Sequence, residues 1–277
     1  MSSVIIGIIG YGNMGSAIAQ KLKANYKVAV FDKDRNKTVS LQGIVLADSI
    51  AGLIAQAEAI VLAVKPQDFD PVLKEIKNSG KRKLLISIAA GINTKYIERV
   101  IPNARVIRVM PNIGARIGYS VTCFSKGTFA DENDLSFARE LFYYLGVTKE
   151  IKEEMMDAAT AISGSGPAYI FDFIEAGSIN PFNFPEHTKH DLIKRLERAA
   201  EAVGFEREDA AFLAVNTFES SLNLLNKTKS SPAELKKQVV SKGGTTEAAL
   251  EVLHKGGSWE EAAVAAKKRA GELSKKN

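Results

Sequence analysis

The sequence predicts an α/β amino-terminal half built on a doubly wound, largely parallel sheet, followed by an all-helical carboxy-terminal half. Three observations carry this. Short apolar runs alternate with helix-spaced segments as far as Glu150. A tight glycine turn separates the first apolar run from the first helix. From Met155 the apolar spacing settles to three and four, the period of helices alone. With 277 residues and 45% apolar composition, the chain can bury a full core and divide in two. The expected domains are residues 1–155 and 156–277.

The first run, from Val4 to Ile9, reads as a strand, and Ser16–Leu22 reads as a helix. Between them stands Gly10-Tyr11-Gly12-Asn13-Met14-Gly15, the GxGxxG fingerprint of a dinucleotide site in its required strand–turn–helix setting. Gly10 permits the turn, Gly12 lets the backbone approach a pyrophosphate, and Gly15 allows close helix–sheet packing. The helix start offers free N–H groups and a positive dipole end. This half is therefore expected to be Rossmann-like. Val28–Phe31 is the second strand and ends at Asp32, where a carboxylate can accept from ribose hydroxyls. Lys33 and Arg35 follow at once and suit a 2′-phosphate. Both signals are present, so NADPH or NADH is the expected cofactor, Asp32 tilting the balance towards NADH.

Ser49–Ala57 reads as a helix, and Ala59–Val64 as an almost wholly apolar strand, as in a sheet covered on both faces. Lys65-Pro66 stops that strand, and ligands in open α/β sheets sit beyond such strand ends. A helix over Phe69–Lys77, a strand over Leu84–Ala89 and a short helix from Thr94, read as its cap, come next. Arg105–Met110 and Tyr119–Ser125 continue the sheet, Asp134–Tyr144 is helical, and Gly146–Glu150 returns to strand. Beyond the boundary, Pro167 suits the first turn of a helix through Glu175. Long helical patterns cover Leu192–Val203 and Glu208–Leu225. The second is apolar on more than one face, which predicts burial against another copy of the chain. Helices starting at Pro232, Thr245 and Glu260 complete the chain.

A charge excess of +5 from 37 basic and 32 acidic residues does not mark a nucleic-acid binder. The single cysteine, Cys123, lies in an alternating strand and excludes an internal disulfide framework. No run reaches the length of a membrane span and no leader pattern opens the chain, so neither a membrane nor a nucleic acid is expected as partner, and the cytoplasm is the expected compartment. His187, His190 and His254 do not converge with carboxylates by spacing, and no metal site is expected.

Six segments resemble the pyrroline-5-carboxylate reductases: Ile8–Met14, Ala63–Pro66, Ser87–Gly91, Arg105–Asn112, Ala161–Tyr169 and Val240–Thr246. The SGSGPAY and GGTT stretches, in this order and separation, are the specific ones. The resemblance implies reduction of (S)-1-pyrroline-5-carboxylate to L-proline by hydride transfer from NAD(P)H. It also implies a helical dimerisation domain interlocked with its mate, in a homodimer or larger assembly of dimers. In that arrangement the active site lies between the cofactor of one subunit and helical elements of the dimer. By the same resemblance, substrate contacts fall on Ser241, Gly243, Gly244 and Thr246. Cofactor contacts fall on Gly10, Asn13, Met14, Ala63, Lys65 and Pro66.

The chemistry fits those roles. Hydride addition to an imine needs a proton at nitrogen, and Thr246 can donate a hydrogen bond there, as an orienting group rather than a strong acid. Ser241 and the N–H groups around Gly243-Gly244 open a helix, which suits the substrate carboxylate. Most of the rate then comes from holding the ring carbon against the nicotinamide.

Two departures stand out. Lys242 occupies a position where the family commonly has proline. Gly177–Arg195, with Pro181 and Pro185, interrupts what would otherwise read as one long helix from Phe173 into Leu196–Gly204. Phe182 and Phe184 within it are expected to pack on something. The rival readings are a dehydrogenase of the β-hydroxyacid type, which would place a lysine on the long helix after the boundary, and a non-enzymatic dinucleotide sensor. A sensor has no use for the Ser241–Thr246 loop.

Overall fold

The computed structural model describes residues 4–39, 41–79, 83–177, 179–180 and 184–275. Eight strands form one sheet: β1 (Ile5–Ile9), β2 (Lys27–Phe31), β3 (Val45–Leu46), β4 (Ala59–Leu62), β5 (Leu84–Ser87), β6 (Arg105–Met110), β7 (Ser120–Lys126) and β8 (Gly146–Glu150). Their order is β3-β2-β1-β4-β5-β6-β7-β8. All neighbours run parallel except β6 and β7, which pair antiparallel with Met110 opposite Cys123. Chain order reverses between β1 and β4, which lie side by side with Ile9 opposite Leu62. That reversal opens a crevice at the carboxyl ends of the two strands, where α/β sheets take their ligands.

Helices α1 (Asn13–Leu22), α2 (Ile50–Gln56), α3 (Phe69–Ser79), α4 (Thr94–Val100) and α5 (Glu132–Tyr143) cover the sheet. Ile18, Leu22, Val30, Val61, Ile86 and Phe142 share one apolar layer, and Leu53, Ile60, Leu62, Leu73, Leu85 and Ile97 share the other. This explains why β4 and β5 are apolar at nearly every position. The cap of α4 falls one residue before the expected one: Asn93 Oδ1 accepts from the Tyr96 amide at 2.7 Å, and Thr94 is the first helical residue. The edge strand β3 is only two exposed residues long and has no sequence signature.

After β8 the chain is helical: α6 (Met156–Ala159), a single π-type turn over Thr160–Gly164, α7 (Gly166–Ala176), α8 (Glu186–Ala202), α9 (Arg207–Thr228), α10 (Pro232–Val239), α11 (Thr245–His254) and α12 (Trp259–Lys275). The π turn has a local cause. The hydroxyls of Thr160 and Ser163 donate to the carbonyls of Met156 and Ala159, and Pro167 has no N–H to continue the ladder. The Ser165 amide reaches back to the Thr160 carbonyl at 2.9 Å.

Arg108, buried on β6, reaches Glu153 at 3.1 Å and Asp157 at 3.0 Å and so ties the sheet to the start of the helical half. Met110, Val121 and Cys123 belong to the same apolar cluster as α6–α9. Burial raises the Cys123 thiol to about 12, so it acts as core filling.

Two expectations change here. Helix α9 does bury several faces, with Leu213, Ala214, Phe218, Leu222 and Leu225 all covered. The covering elements, however, are α7, α8 and β7 of its own chain, so the burial by itself does not require a second copy. In the segment 177–195, residues from Glu186 onwards form the start of α8. That first turn (Glu186, His187, Thr188, Lys189) is polar throughout and carries no apolar period to read. Phe184 packs edge-on against Phe218 at 6.0 Å, whereas Pro181 and Phe182 lie outside the described residues.

Candidate active site

A cleft of about 570 Å³ lies where the crevice between β1 and β4 meets the helical half. That volume falls within the usual range for cofactor and small-ligand sites. The sheet side of its lining comes from Gly12, Asn13 and Met14, from Ala63, Val64, Lys65 and Pro66, and from Ile88–Ala90 and Met110–Ile113. The helical side comes from Thr160, Gly164, Ser165, Gln238, Val239, Ser241, Thr245 and Thr246.

The floor is made by backbone. Gly10 has φ +100, and a Cβ there would meet the Ala63 carbonyl at 2.6 Å. A Cβ on Gly15 would lie 2.0 Å from the Gly10 carbonyl oxygen, so the helix can start this close to the strand only with glycine. At Gly12 the space around the missing Cβ is open. Helix α1 has no side-chain cap and no acidic residue in its first turn, leaving its leading N–H groups for an anion. An open glycine before an uncapped helix start is the cradle a dinucleotide pyrophosphate requires, and these residues fit such a cofactor.

Asp32 is buried at the end of β2, with Oδ2 accepting the Tyr11 amide at 2.7 Å and Oδ1 the Asp34 amide at 2.8 Å. Burial raises its pKa, but those two donors and Lys37 outweigh it and hold the carboxyl below its usual value. The carboxylate thus braces the glycine turn while keeping lone pairs for a ribose. Lys33 and Arg35 are placed differently from the expectation. Lys33 pairs with Asp68 at 2.5 Å, and Arg35 gives its guanidinium to the Ala47 and Asp48 carbonyls. Neither lines the cleft. Lys37 does, 3.4 Å from Asp32. A lysine six residues past a strand end carries no distinguishing pattern in the sequence.

On the helical side, Thr246 is buried and its hydroxyl donates to Ser165 Oγ at 3.0 Å. Ser165 Oγ also lies 3.1 Å from Thr245 Oγ1, giving a chain of three hydroxyls. Ser165 was legible as part of the SGSGP stretch, but not as a neighbour of residues 80 positions away. Asn112 was likewise unassigned. It is buried beside the cleft, its Oδ1 accepting from the Gly114 amide and from Ser220 Oγ, so it joins the sheet half to α9.

The loop before α11 is a tight turn. The Gly244 amide donates to the Ser241 carbonyl at 2.9 Å, and Gly243 has φ +69. Lys242 is the exposed second residue of that turn and is absent from the cleft lining. The Gly243 amide donates to Glu247 Oε2 at 2.6 Å, and Arg269 Nε donates to the Gly243 carbonyl. The N–H groups of both glycines are therefore already engaged, contrary to the role expected for Gly243 and Gly244. Ser241 lines the cleft, and the N-cap of α11 has no side-chain partner.

No group of three or more potential metal ligands occurs among the described residues. Among them, no helix is long and apolar enough to cross a membrane. His254 faces Asp172 at 3.0 Å, away from His187 and His190 in the sequence.

The chain is similar to known proteins over its whole length. Residues 153–178 and 191–273 match the family described as pyrroline-5-carboxylate reductase dimerisation. Residues 5–91 match the NADP oxidoreductase, coenzyme F420-dependent family. The pyrroline-5-carboxylate reductase of Methanosarcina acetivorans is 33% identical over 100% of both chains. That of Arabidopsis thaliana is 34% identical over 97% of this chain and 95% of its own. Among solved structures, the Plasmodium falciparum pyrroline carboxylate reductase with NADP bound superposes with a TM-score of 0.66 at 28% identity, covering 99% of each chain.

Proposed function

This chain belongs to the pyrroline-5-carboxylate reductase family, and we propose from its cleft that it reduces (S)-1-pyrroline-5-carboxylate to L-proline. The observation that carries this reading is the meeting of two surfaces in one cleft. A glycine-turn cradle for a dinucleotide lies opposite a buried hydroxyl cluster at the start of α11. The cofactor is NADPH or NADH, and when bound it supplies the hydride.

The chain's own residues do the rest. Gly12, Asn13 and Met14 receive the pyrophosphate at the start of α1, while Ala63, Lys65 and Pro66 flank the nicotinamide end. Asp32 accepts from the adenosine ribose, and Lys37 beside it attracts a phosphate. Ser241 and the leading amides of α11 hold the substrate carboxylate, the favourable place for an anion on a helix. Thr246 donates its hydroxyl proton to Ser165, which leaves its oxygen lone pairs to accept from the iminium N–H and fix the ring with the imine carbon facing the cofactor. A substrate entering as the iminium already carries its nitrogen proton, and hydride addition at the C=N carbon (C2 of the pyrroline, C5 of proline) then yields the neutral ring amine. A threonine hydroxyl is far too weak an acid to protonate the nitrogen itself, so its contribution is orientation.

The chain acts on a small molecule and assembles as an oligomer; we assign the imino acid as the molecule and a homodimer, or a ring of dimers, as the assembly. A cytoplasmic setting accords with the lone, buried Cys123. The test is loss of NADH or NADPH absorbance with and without the imine, with proline as the product identified by mass spectrometry. Imine-dependent oxidation of either cofactor is expected; a folded enzyme that oxidises neither would overturn the assignment.

A further inference from the structure

The turn before α11 contains two consecutive glycines, Gly243 and Gly244, and such a pair brings more backbone freedom than any other residues would. The same turn carries Ser241 and leads into Thr246, both of which line the cleft. A positioned reaction tolerates little play: a misplacement of about 1 Å can slow it roughly 100-fold. Two glycines cannot hold such a turn by themselves.

Two charged side chains hold it, and neither lines the cleft. Glu247, in the first turn of α11, accepts from the Gly243 amide through Oε2 at 2.6 Å. Arg269, on α12, donates from Nε to the Gly243 carbonyl at 2.7 Å. The first bond fixes the peptide plane before the Gly243 Cα, and the second fixes the plane after it. Because each peptide unit is planar, rotation about that Cα is all the freedom Gly243 has, and the two bonds lock it at φ +69. Arg269 is itself oriented, its Nη1 reaching Glu272 Oε2 at 2.9 Å one turn further along α12.

Glu247, Arg269 and Gly243 belong to one continuous stretch, the turn and the helices α11 and α12 that pack on each other. The clasp therefore moves as a unit with Thr246. It also disposes of a charge. A carboxylate in the first turn of α11 is drawn to the same leading amides that suit an anionic ligand, and it would repel that ligand. Tied to the Gly243 amide, Glu247 stays out of the cleft lining, and Arg269 brings a cation to the same glycine.

We propose that Glu247 and Arg269 are positioning residues for the substrate turn: they clamp Gly243 from both sides, so that Ser241 and Thr246 meet the substrate in one geometry, and they touch no substrate themselves. The inference rests on the reading of this turn as the substrate side of the cleft.

Full-length variants test it through kcat, KM for the imine, nucleotide affinity and melting temperature. Methionine preserves the stem of Arg269 without its donors. Glu247→Ala and Arg269→Met should each lower kcat/KM for the imine about tenfold with nucleotide affinity unchanged, the mark of a lost hold on an oriented reactant. Glutamine keeps an oxygen that can accept from the Gly243 amide, so Glu247→Gln should recover most of what Glu247→Ala loses. Glu272→Gln, which removes the charge at the far end of Arg269, should stay near wild type. Since both holds act on one glycine, Glu247→Ala combined with Arg269→Met should cost less than the product of the two single losses. Equal impairment of Glu247→Ala and Glu247→Gln would overturn the proposal. So would a Glu272→Gln protein as impaired as Arg269→Met, or a double variant whose losses simply multiply. If Arg269→Met does not fold, the two Glu247 variants decide alone. Amide hydrogen exchange over residues 240–246 is followed in the same proteins and should quicken in Glu247→Ala but not in Glu247→Gln. Unchanged exchange in Glu247→Ala would remove the clasp itself. A wild-type enzyme inert towards the imine with both cofactors, yet showing that exchange pattern, would remove the substrate reading and leave the clasp.

Discussion

The two walls of the cleft are built by different means. The sheet-side wall is backbone: three glycines, one uncapped helix start and a strand end, all within a few residues of one another or of a neighbouring strand. The helical wall is side chain: hydroxyls of Ser165, Thr245 and Thr246 that meet across about 80 residues of sequence. A backbone wall is fixed by local sterics and tolerates almost no added atom. A side-chain wall is fixed by tertiary packing and should lose function before it loses its fold.

Substitutions sharpen that contrast. The largest effect is expected at Gly15→Ala, where the new Cβ would sit 2.0 Å from the Gly10 carbonyl. Overpacking of this kind costs about 3 kcal/mol. Dinucleotide titration and thermal melts should fail together, and unchanged nucleotide affinity in a stable Gly15→Ala protein would break the distinction.

Asp172→Asn probes the packing that brings the second wall into place. Loss of a hydrogen-bonded charge pair here should cost about 1.5–3 kcal/mol at neutral pH. Burial pushes Asp172 up, but His254 and Lys236 hold it below its ordinary value. A carboxyl depressed on folding stabilises fully above its unfolded pKa, near 3.9, and loses that contribution as pH falls from there through its folded value. Urea midpoints of wild type and Asp172→Asn should therefore differ at pH 7 and converge on strong acidification. A gap that stays constant across that range would place the stabilisation elsewhere.

Thr246→Ala should lower kcat by about 10- to 100-fold, the scale of one lost hydrogen bond in the transition state, with nucleotide affinity and melting temperature nearly unchanged. Equal loss of nucleotide binding would show that the two walls are not separable. The smallest effect belongs to Lys242→Pro. Lys242 is the second residue of a turn whose third residue, Gly243, has positive φ, a position that accepts proline readily. A compatible proline there adds about 0.4–1 kcal/mol by restricting the unfolded chain. Turnover should stay within a factor of about two, and a large change would mean the lysine charge reaches the substrate after all.

How much of this was legible follows the same division. The glycine turn, β4 with its Lys65-Pro66 stop, and the run of helices after Met155 are written in local spacing. The turn at Ser241–Gly244 is too, although its amides proved to be committed to Glu247 and to the turn itself. The beginning of α8 was hidden because its first turn is wholly polar. Lys37 was missed in favour of Lys33 and Arg35 because only the fold shows that those two are held by Asp68 and by backbone carbonyls. The partnership of Ser165 with Thr246, and that of Asn112 with Ser220, follow from no spacing rule; both are products of helices packing on a sheet.

The π turn at Thr160–Gly164 bears on how the chain can change length. In a helix each residue turns the path by about 100°. The surplus residue accommodated in that turn therefore sets the direction in which Ser165 and all of α7 point. Deleting one residue there would rotate the serine out of the cleft and swing Asp172 off Lys236. The length of that one turn is thus a compass setting for everything α7 carries into the helical half.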